Sequence, residues 1–405
     1  MHTRAGLTVL LAALVVSCGP APRPSPTLPS ASVTATPSNG ATTTASASGS
    51  LATPSLDIHK VPQSQTTPLL DVNTDGHEII WSRGDKDPSS IGGVPDLFVY
   101  VPGATTATLL YSDADRNAQL SPIAVHNGSY AFVELYARPG GGDQGGWRLW
   151  YIGAQGQNPT MIDTSEVDPP TFPNVLPQIT ITNDQLIWTA MHLVGEQAQS
   201  LLRSYSTKTK QTTNLLESPA DNTVYWFPNA DDQGRLVYST VERTTAAAAP
   251  AFHVYYADLT KTPLQPRRLD TDGHATNPFL AGDQVVWRTV TRNVSDWGQL
   301  VRFSLTTDSA LTIGFQYQPE VQSLSAGNRF VAAWGWDSTD FELYDLASNA
   351  PVVVKKYEPT SSTVIVRPVA AGDLVVFIVG DATPWVNGDP GIHLQLCWLD
   401  LGPAH

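Results

Sequence analysis

The chain has 405 residues, with 37 acidic against 23 basic side chains and a formal net charge of −14. No block of Lys or Arg offers a footprint for a phosphate backbone, and an acidic surface is repelled from anionic lipid headgroups, so neither nucleic acid nor electrostatic membrane binding is expected. The length suits two ordinary domains or one architecture that grows by stacking repeated units.

The first twenty residues, "MHTRAGLTVLLAALVVSCGP", place Arg4 ahead of an apolar run from Ala5 to Val16. That run is shorter than the roughly 20 residues that span a bilayer, which points to a secretion signal over residues 1–17. The "VVSC" ending resembles the bacterial lipobox, with Val15 where leucine is more usual. The resemblance implies that Cys18 is acylated and becomes the first residue of a mature, membrane-anchored chain. Only Cys397 then remains, so no disulfide forms within the mature chain. It lies in "LQLCWLD", where it is expected to be a small buried hydrophobe.

Residues 18–54 are nearly all Pro, Ser, Thr, Ala or Gly after the cysteine. Such a composition cannot bury enough apolar surface to offset folding entropy, so a disordered tether is expected. As flexible coil its typical end-to-end distance is on the order of 30–40 Å.

From residue 55 to 405 no 3.6-residue periodicity persists for a helix length. Short runs of Val, Ile, Leu, Tyr, Trp and Thr instead alternate with Gly, Asp, Asn and Pro clusters, an all-β signature. Seven runs follow a polar turn, from "GHEIIW" to "GDLVVF". Their reference positions are Trp81, Phe132, Trp188, Tyr238, Trp287, Ala332 and Phe377, spaced by 45 to 56 residues. A second register, from "LFVYVPG" to "QLCWLDL", holds Tyr100, Tyr151, Tyr205, Tyr256, Phe303, Tyr344 and Trp398. Two registers that agree on the count predict a seven-bladed β-propeller of four-stranded antiparallel blades, with six or eight blades as the alternatives. The seventh copy ends too soon for an outer strand, and "LDIHKV", Leu56 to Val61, is expected to supply it and close the ring.

"FELYDLASN" and "VYYADLT" resemble the strand motif of TolB-like and WD40-like (PD40-type) β-propellers. The resemblance covers about 345 residues and implies the fold; the helical N-terminal domain of TolB has no counterpart in the sequence. "DVNTDGHEIIW" opens like a calcium loop, with Asp71, Asn73 and Asp75 at the first, third and fifth positions, but Ser82 stands where the closing glutamate belongs. Because "NTDGH" occupies the slot held by "TND" and "AGN" in other copies, it is expected to be the tight turn between first and second strands, with no metal.

Propeller topology puts the second-to-third loops and the blade-to-blade connections on one face, and these carry the unusual residues. Candidate ligand-binding residues there are Arg83, Asp85, Lys86, Arg138, Asp143, His192, Glu196, Arg243, Arg292, Asp296, Trp297, Trp336, Asp337, Trp385 and Asp389. No metallohydrolase, nucleophile-elbow or phosphate-loop motif is present, so no catalytic residue, metal or cofactor is assigned. The expected function is a monomeric, lipid-anchored module of the cell surface or periplasm that binds a protein or carbohydrate. The alternatives are a polysaccharide-acting surface enzyme, a lyase or hydrolase, and an envelope scaffold or sensor.

Overall fold

The computed structural model describes residues 58–62, 69–83, 95–112, 118–137, 145–154, 158–165, 176–194, 197–218, 223–243, 249–290, 298–314, 323–334, 340–356, 363–382 and 392–401. Among these residues there are strands and turns and no helix. A short strand, β1 (His59–Lys60), comes first. Blade 1 then comprises β2 (Leu69–Thr74), β3 (Ile79–Arg83), β4 (Asp96–Tyr100) and β5 (Thr108–Ser112). Blade 2 is β6 (Ala118–His126), β7 (Ser129–Ala137), β8 (Gly145–Ile152) and β9 (Thr160–Thr164), and blade 3 is β10 (Ile179–Ile181), β11 (Gln185–Val194), β12 (Gln197–Ser206) and β13 (Thr212–Glu217). Blade 4 is β14 (Thr223–Ala230), β15 (Arg235–Glu242), β16 (Ala251–Asp258) and β17 (Arg267–Arg268), and blade 5 is β18 (Ala275–Ala281), β19 (Gln284–Thr289), β20 (Leu300–Ser304) and β21 (Ser309–Ile313). Blade 6 is β22 (Ser323–Ala326), β23 (Phe330–Trp334), β24 (Asp340–Asp345) and β25 (Ala350–Lys356); blade 7 is β26 (Thr363–Ala371), β27 (Leu374–Ala382) and β28 (Ile392–Asp400), completed by β1. Each blade is a four-stranded antiparallel meander, and the seven form a β-propeller.

The two sequence registers explain why the sheets stack. The seven reference positions on the second strands are all buried, as are those on the third strands apart from the half-buried Tyr256. Each junction between neighbouring blades has its own apolar cluster. Trp188 of blade 3 packs with Ala131 and Trp147 of blade 2, and Trp287 of blade 5 packs with Val237 and Val254 of blade 4. Polar ties cross the same junctions. Asp163, on the outer strand of blade 2, accepts from Trp188 Nε1 at 2.8 Å and from Arg203 Nη1 at 2.6 Å, both on blade 3. Cys397 is buried among Phe377, Leu399 and Val375 as a small hydrophobe.

The turn "NTDGH" connects β2 to β3. Asp75 Oδ1 accepts the His77 and Glu78 N–H groups at 2.8 and 2.9 Å, which closes the turn locally. Gly76 has φ of +95°, and a Cβ there would lie 2.9 Å from the Ala371 carbonyl oxygen of blade 7. Asp71 Oδ2 accepts from Ser121 Oγ and Ile123 N, and Asn73 Nδ2 donates to Ile123 O at 2.8 Å. Hydrogen bonding to the next blade thus accounts for the residues that resemble calcium ligands.

The N-terminal strand closes the ring. β1 pairs antiparallel with β28, His59 opposite Trp398 and Lys60 opposite Cys397, over a shorter span than the expected Leu56 to Val61; Leu56 and Asp57 lie outside the described residues. Val61 N donates to Leu396 O at 2.9 Å, and the His59 and Trp398 rings stack with centroids 4.3 Å apart. Val61 is 1% exposed among Trp81, Val376 and Trp398, where blades 7 and 1 meet. An aspartate at this position would bury an unpaired charge. Val61→Asp is expected to lower stability by about 2–4 kcal/mol, whereas Ile58→Asp, at an exposed position, should stay within about 0.5 kcal/mol of the parent. Urea unfolding of both variants measures this, and equal effects would mean that the seam does not hold the ring.

Candidate functional site

The first strand of each blade leaves one edge unpaired by sheet hydrogen bonds, and the seven edges enclose a central cavity of about 850 Å³. In four blades that strand is interrupted by an X-Pro step, at Pro122, Pro228, Pro278 and Pro368, and the pairing register shifts at each one. Proline has no N–H to give to a ladder, so it is tolerated on such an edge and at a bulge. All four prolines border the cavity. Phe227 and Asn277, each directly before one of them, have φ of +46° and +55°.

Most polar wall groups tie one blade to the next. Besides Asn73, Thr180 Oγ1 accepts from Ala230 N at 3.4 Å, Asn229 Oδ1 accepts from Leu280 N at 2.9 Å, and Ser325 Oγ exchanges hydrogen bonds with Ala370. At the short-turn end the turns form a hydrogen-bonded arc. Asn127 N donates to Asp75 Oδ2 of blade 1, Asn127 Nδ2 donates to Asn183 Oδ1 of blade 3, and Asn183 N donates to Asp232 Oδ1 of blade 4. His126 Nε2 lies 2.8 Å from Asp232 Oδ2, a contact that reaches from blade 2 to blade 4, and Arg235 pairs with Asp283 of blade 5. The same end holds Tyr130, whose hydroxyl is pushed well above its usual pKa by burial and by the Glu78 carboxylate it donates to at 3.0 Å.

The opposite rim carries the second-to-third connections. They range from two residues, 195–196, to twelve, 84–95, whereas first-to-second turns range from two, 127–128, to four, 75–78. Three of the sequence candidates are described there. Arg83 ends β3 and forms a two-nitrogen ion pair with Asp96 Oδ2 at 2.8 and 2.9 Å, with its guanidinium 4.4 Å from the Phe98 ring centre. His192 Nε2 lies 2.8 Å from Gln199 Oε1, and Gln199 Nε2 in turn donates to Ser218 O. Arg243 follows β15, and its Nε is buried without a hydrogen-bond partner. Asp85, Lys86, Arg138, Asp143, Glu196, Arg292, Asp296, Trp297, Trp336, Asp337, Trp385 and Asp389 lie outside the described residues.

Blade 4 carries a polar group near this rim, within the "DTDGH" segment that the sequence offers only as a weaker match to a calcium loop. In blades 2 and 3 a serine just beyond the fourth strand, Ser165 or Ser218, accepts the third-strand N–H of Trp147 or Ser200 at 2.9 Å. In blade 4 this place belongs to Asp270, which accepts Val254 N at 2.9 Å and also contacts His253 Nδ1 at 3.0 Å. Burial alone would raise the Asp270 carboxyl, but His253, Val254 N–H, Arg268 and Gly273 N–H outweigh it and hold the pKa below the usual value. Beside it, Glu242 accepts from Thr240 Oγ1 and Tyr255 Oη, and burial followed by the Glu242 charge pushes Tyr225 up to about 12. "DTDGH", Asp270 to His274, looks like the "NTDGH" turn, yet it forms the connection between blades 4 and 5 on the opposite face.

No family model matches the chain, and no curated protein matches it. Solved structures do. The β-propeller domain of the Trilobed protease from Pyrococcus furiosus, described as having an open velcro topology, aligns with a TM-score of 0.54 at 10% identity, over 78% of this chain and 91% of that one. Oligogalacturonate lyase in complex with manganese aligns with a TM-score of 0.53 at 11% identity, over 86% and 96%. TolB from Acinetobacter baumannii aligns with a TM-score of 0.39 at 10% identity, over 79% of each chain. At these identities the likeness is one of fold. The His59–Lys60 pairing gives this chain a closed seam.

A carboxyl whose folded pKa is depressed contributes stability above its unfolded value and loses it as pH falls through the folded one. Asp270→Asn is therefore expected to cost about 1–3 kcal/mol at pH 7, with the gap to the parent narrowing as pH drops below about 4. Urea unfolding across a pH series checks this. A gap that stays constant down to pH 3 would show that the carboxylate charge plays no part.

Proposed function

We propose that the chain is a lipid-anchored propeller of the cell surface or periplasm that serves as a ligand-binding or protein-interaction module. The contrast between the two rims carries this reading. One end is drawn together by short turns and blade-to-blade hydrogen bonds, while the other presents seven connections of unequal length on the same rigid scaffold. Variable loops on a fixed frame are where recognition concentrates. Trp297, Trp336 and Trp385 lie in the sequence of these connections and would supply aromatic contact area. A second reading, a polysaccharide-acting surface enzyme, draws on the likeness to an oligogalacturonate lyase over most of both chains.

Purified full-length protein, screened against carbohydrate arrays and envelope extract with turnover followed in parallel, separates the two. Binding without turnover supports the module, and turnover supports the enzyme. Trp297→Ala and Trp385→Ala are each expected to weaken binding tenfold or more; if neither has any effect, the rim is not the recognition surface. Cys18→Ala is expected to move the protein from the membrane fraction to the soluble fraction, and unchanged membrane retention would remove the lipid anchor from the proposal.

A further inference from the structure

We infer that the central cavity, rather than the loops alone, holds a subsite for a neutral saccharide ring, built by Gln178, Phe227 and Asn277 from three consecutive blades. The inference rests on the binding-module reading above and names the ligand class. Asn73, Thr180, Asn229 and Ser325 spend side-chain hydrogen bonds on the neighbouring blade. Among the described residues, the side-chain amides of Gln178 and Asn277 make no hydrogen bond, although both residues border the cavity and are only half buried. They are polar groups with no structural task in the wall.

Between them in blade order stands Phe227. A bulky residue with φ of +46° is an outlier, and such strain persists where the surroundings enforce it, commonly at sites that grip a ligand. The strained backbone brings the ring into a parallel stack with Trp226, at 5.2 Å between centroids and 14° between planes, while Phe227 borders the cavity. The three residues lie within one residue of the same level of the wall. Gln178 directly precedes Ile179, the partner of Trp188, and Phe227 and Asn277 occupy the register shifts beside Ser239 and Arg288.

An aromatic face flanked by two amides, each able to donate and accept, matches a sugar ring, which presents C–H groups on its faces and hydroxyls around its edge. The charged groups that line the cavity are already engaged, Asp71 by Ser121 and Ile123, Asp75 by Asn127, Asp232 by Asn183, and Arg235 by Asp231 and Asp283, which favours a neutral ligand. A peptide adding itself as a strand is disfavoured, because Pro122, Pro228, Pro278 and Pro368 remove N–H donors from the edges it would pair with. The cavity, at about 850 Å³, is of small-ligand size.

The test is an array of neutral oligosaccharides of glucose, galactose, mannose and N-acetylglucosamine, with acidic oligosaccharides and peptides alongside, probed with the full chain, with calorimetric titration of the strongest hit. Asn277→Gly keeps the backbone conformation while removing the amide, and Gln178→Ala and Phe227→Gly remove the other two contacts. Each is expected to weaken binding tenfold or more, with Asn277→Gly and Gln178→Ala retaining the parental melting temperature. If the saccharide binds and only Trp297→Ala or Trp385→Ala weakens it, the cavity subsite is overturned while the module reading stands. If only acidic saccharides or peptides bind, the ligand class is overturned. If nothing binds and envelope extract yields no partner, the module reading itself falls.

Discussion

A four-stranded blade has two apolar faces and no interior of its own. Every other feature of this molecule follows from that constraint. Trp81, Trp188 and Trp287 cannot be covered within their own sheets, so each blade is stable only between two neighbours. A line of such sheets would end in two bare faces, and a ring has none. The apolar clusters are accordingly distributed one to a junction instead of gathered at the centre, which leaves the axis free to be a cavity. Among the described residues no disulfide is needed for the same reason, since large aromatic side chains at every junction supply what a small core could not.

The ring was legible in the sequence because this burial demand repeats. Two aromatic positions per blade recur wherever a second or third strand must cover its neighbour, and even the exception, Ala332, is fully buried. The turn at Asp75 was legible because the copies align around it. The cavity wall was not. Its tell-tale was the X-Pro dipeptide ahead of the turn, in "SPIAVHNG", "FPNADDQG", "NPFLAGD" and "RPVAAGD", a signal that strand patterning treats as noise because proline argues against a strand. Nor does sequence show that Asn73 is occupied by Ile123 while Asn277 has no such partner; that depends on which backbone group of the next blade falls within reach.

The repeat also gives a way to separate structural from distinctive chemistry. Ser165, Ser218 and Asp270 perform the same backbone cap, so the cap belongs to the fold. What blade 4 adds is a buried carboxylate and a histidine beneath it, where blade 3 has Gln199 reaching Ser218. The "DTDGH" segment shows the limit of pattern matching from the other side. Five residues nearly identical to a first-face turn serve on the opposite face, because their neighbours assign them to a connection and not to a hairpin.

The seam gives the molecule a mechanical polarity. Six blades are complete within a continuous stretch of chain, but the seventh borrows its last strand from the segment that leads in from the N-terminus. Tension applied along that segment meets the ring first at two backbone pairs, a stacked His59 and the Val61 plug, before any other strand is loaded. The clasp is therefore the weak link under pulling, and a propeller hung from its leading end would open as a bracelet does, at the fastener, with the remaining links still intact.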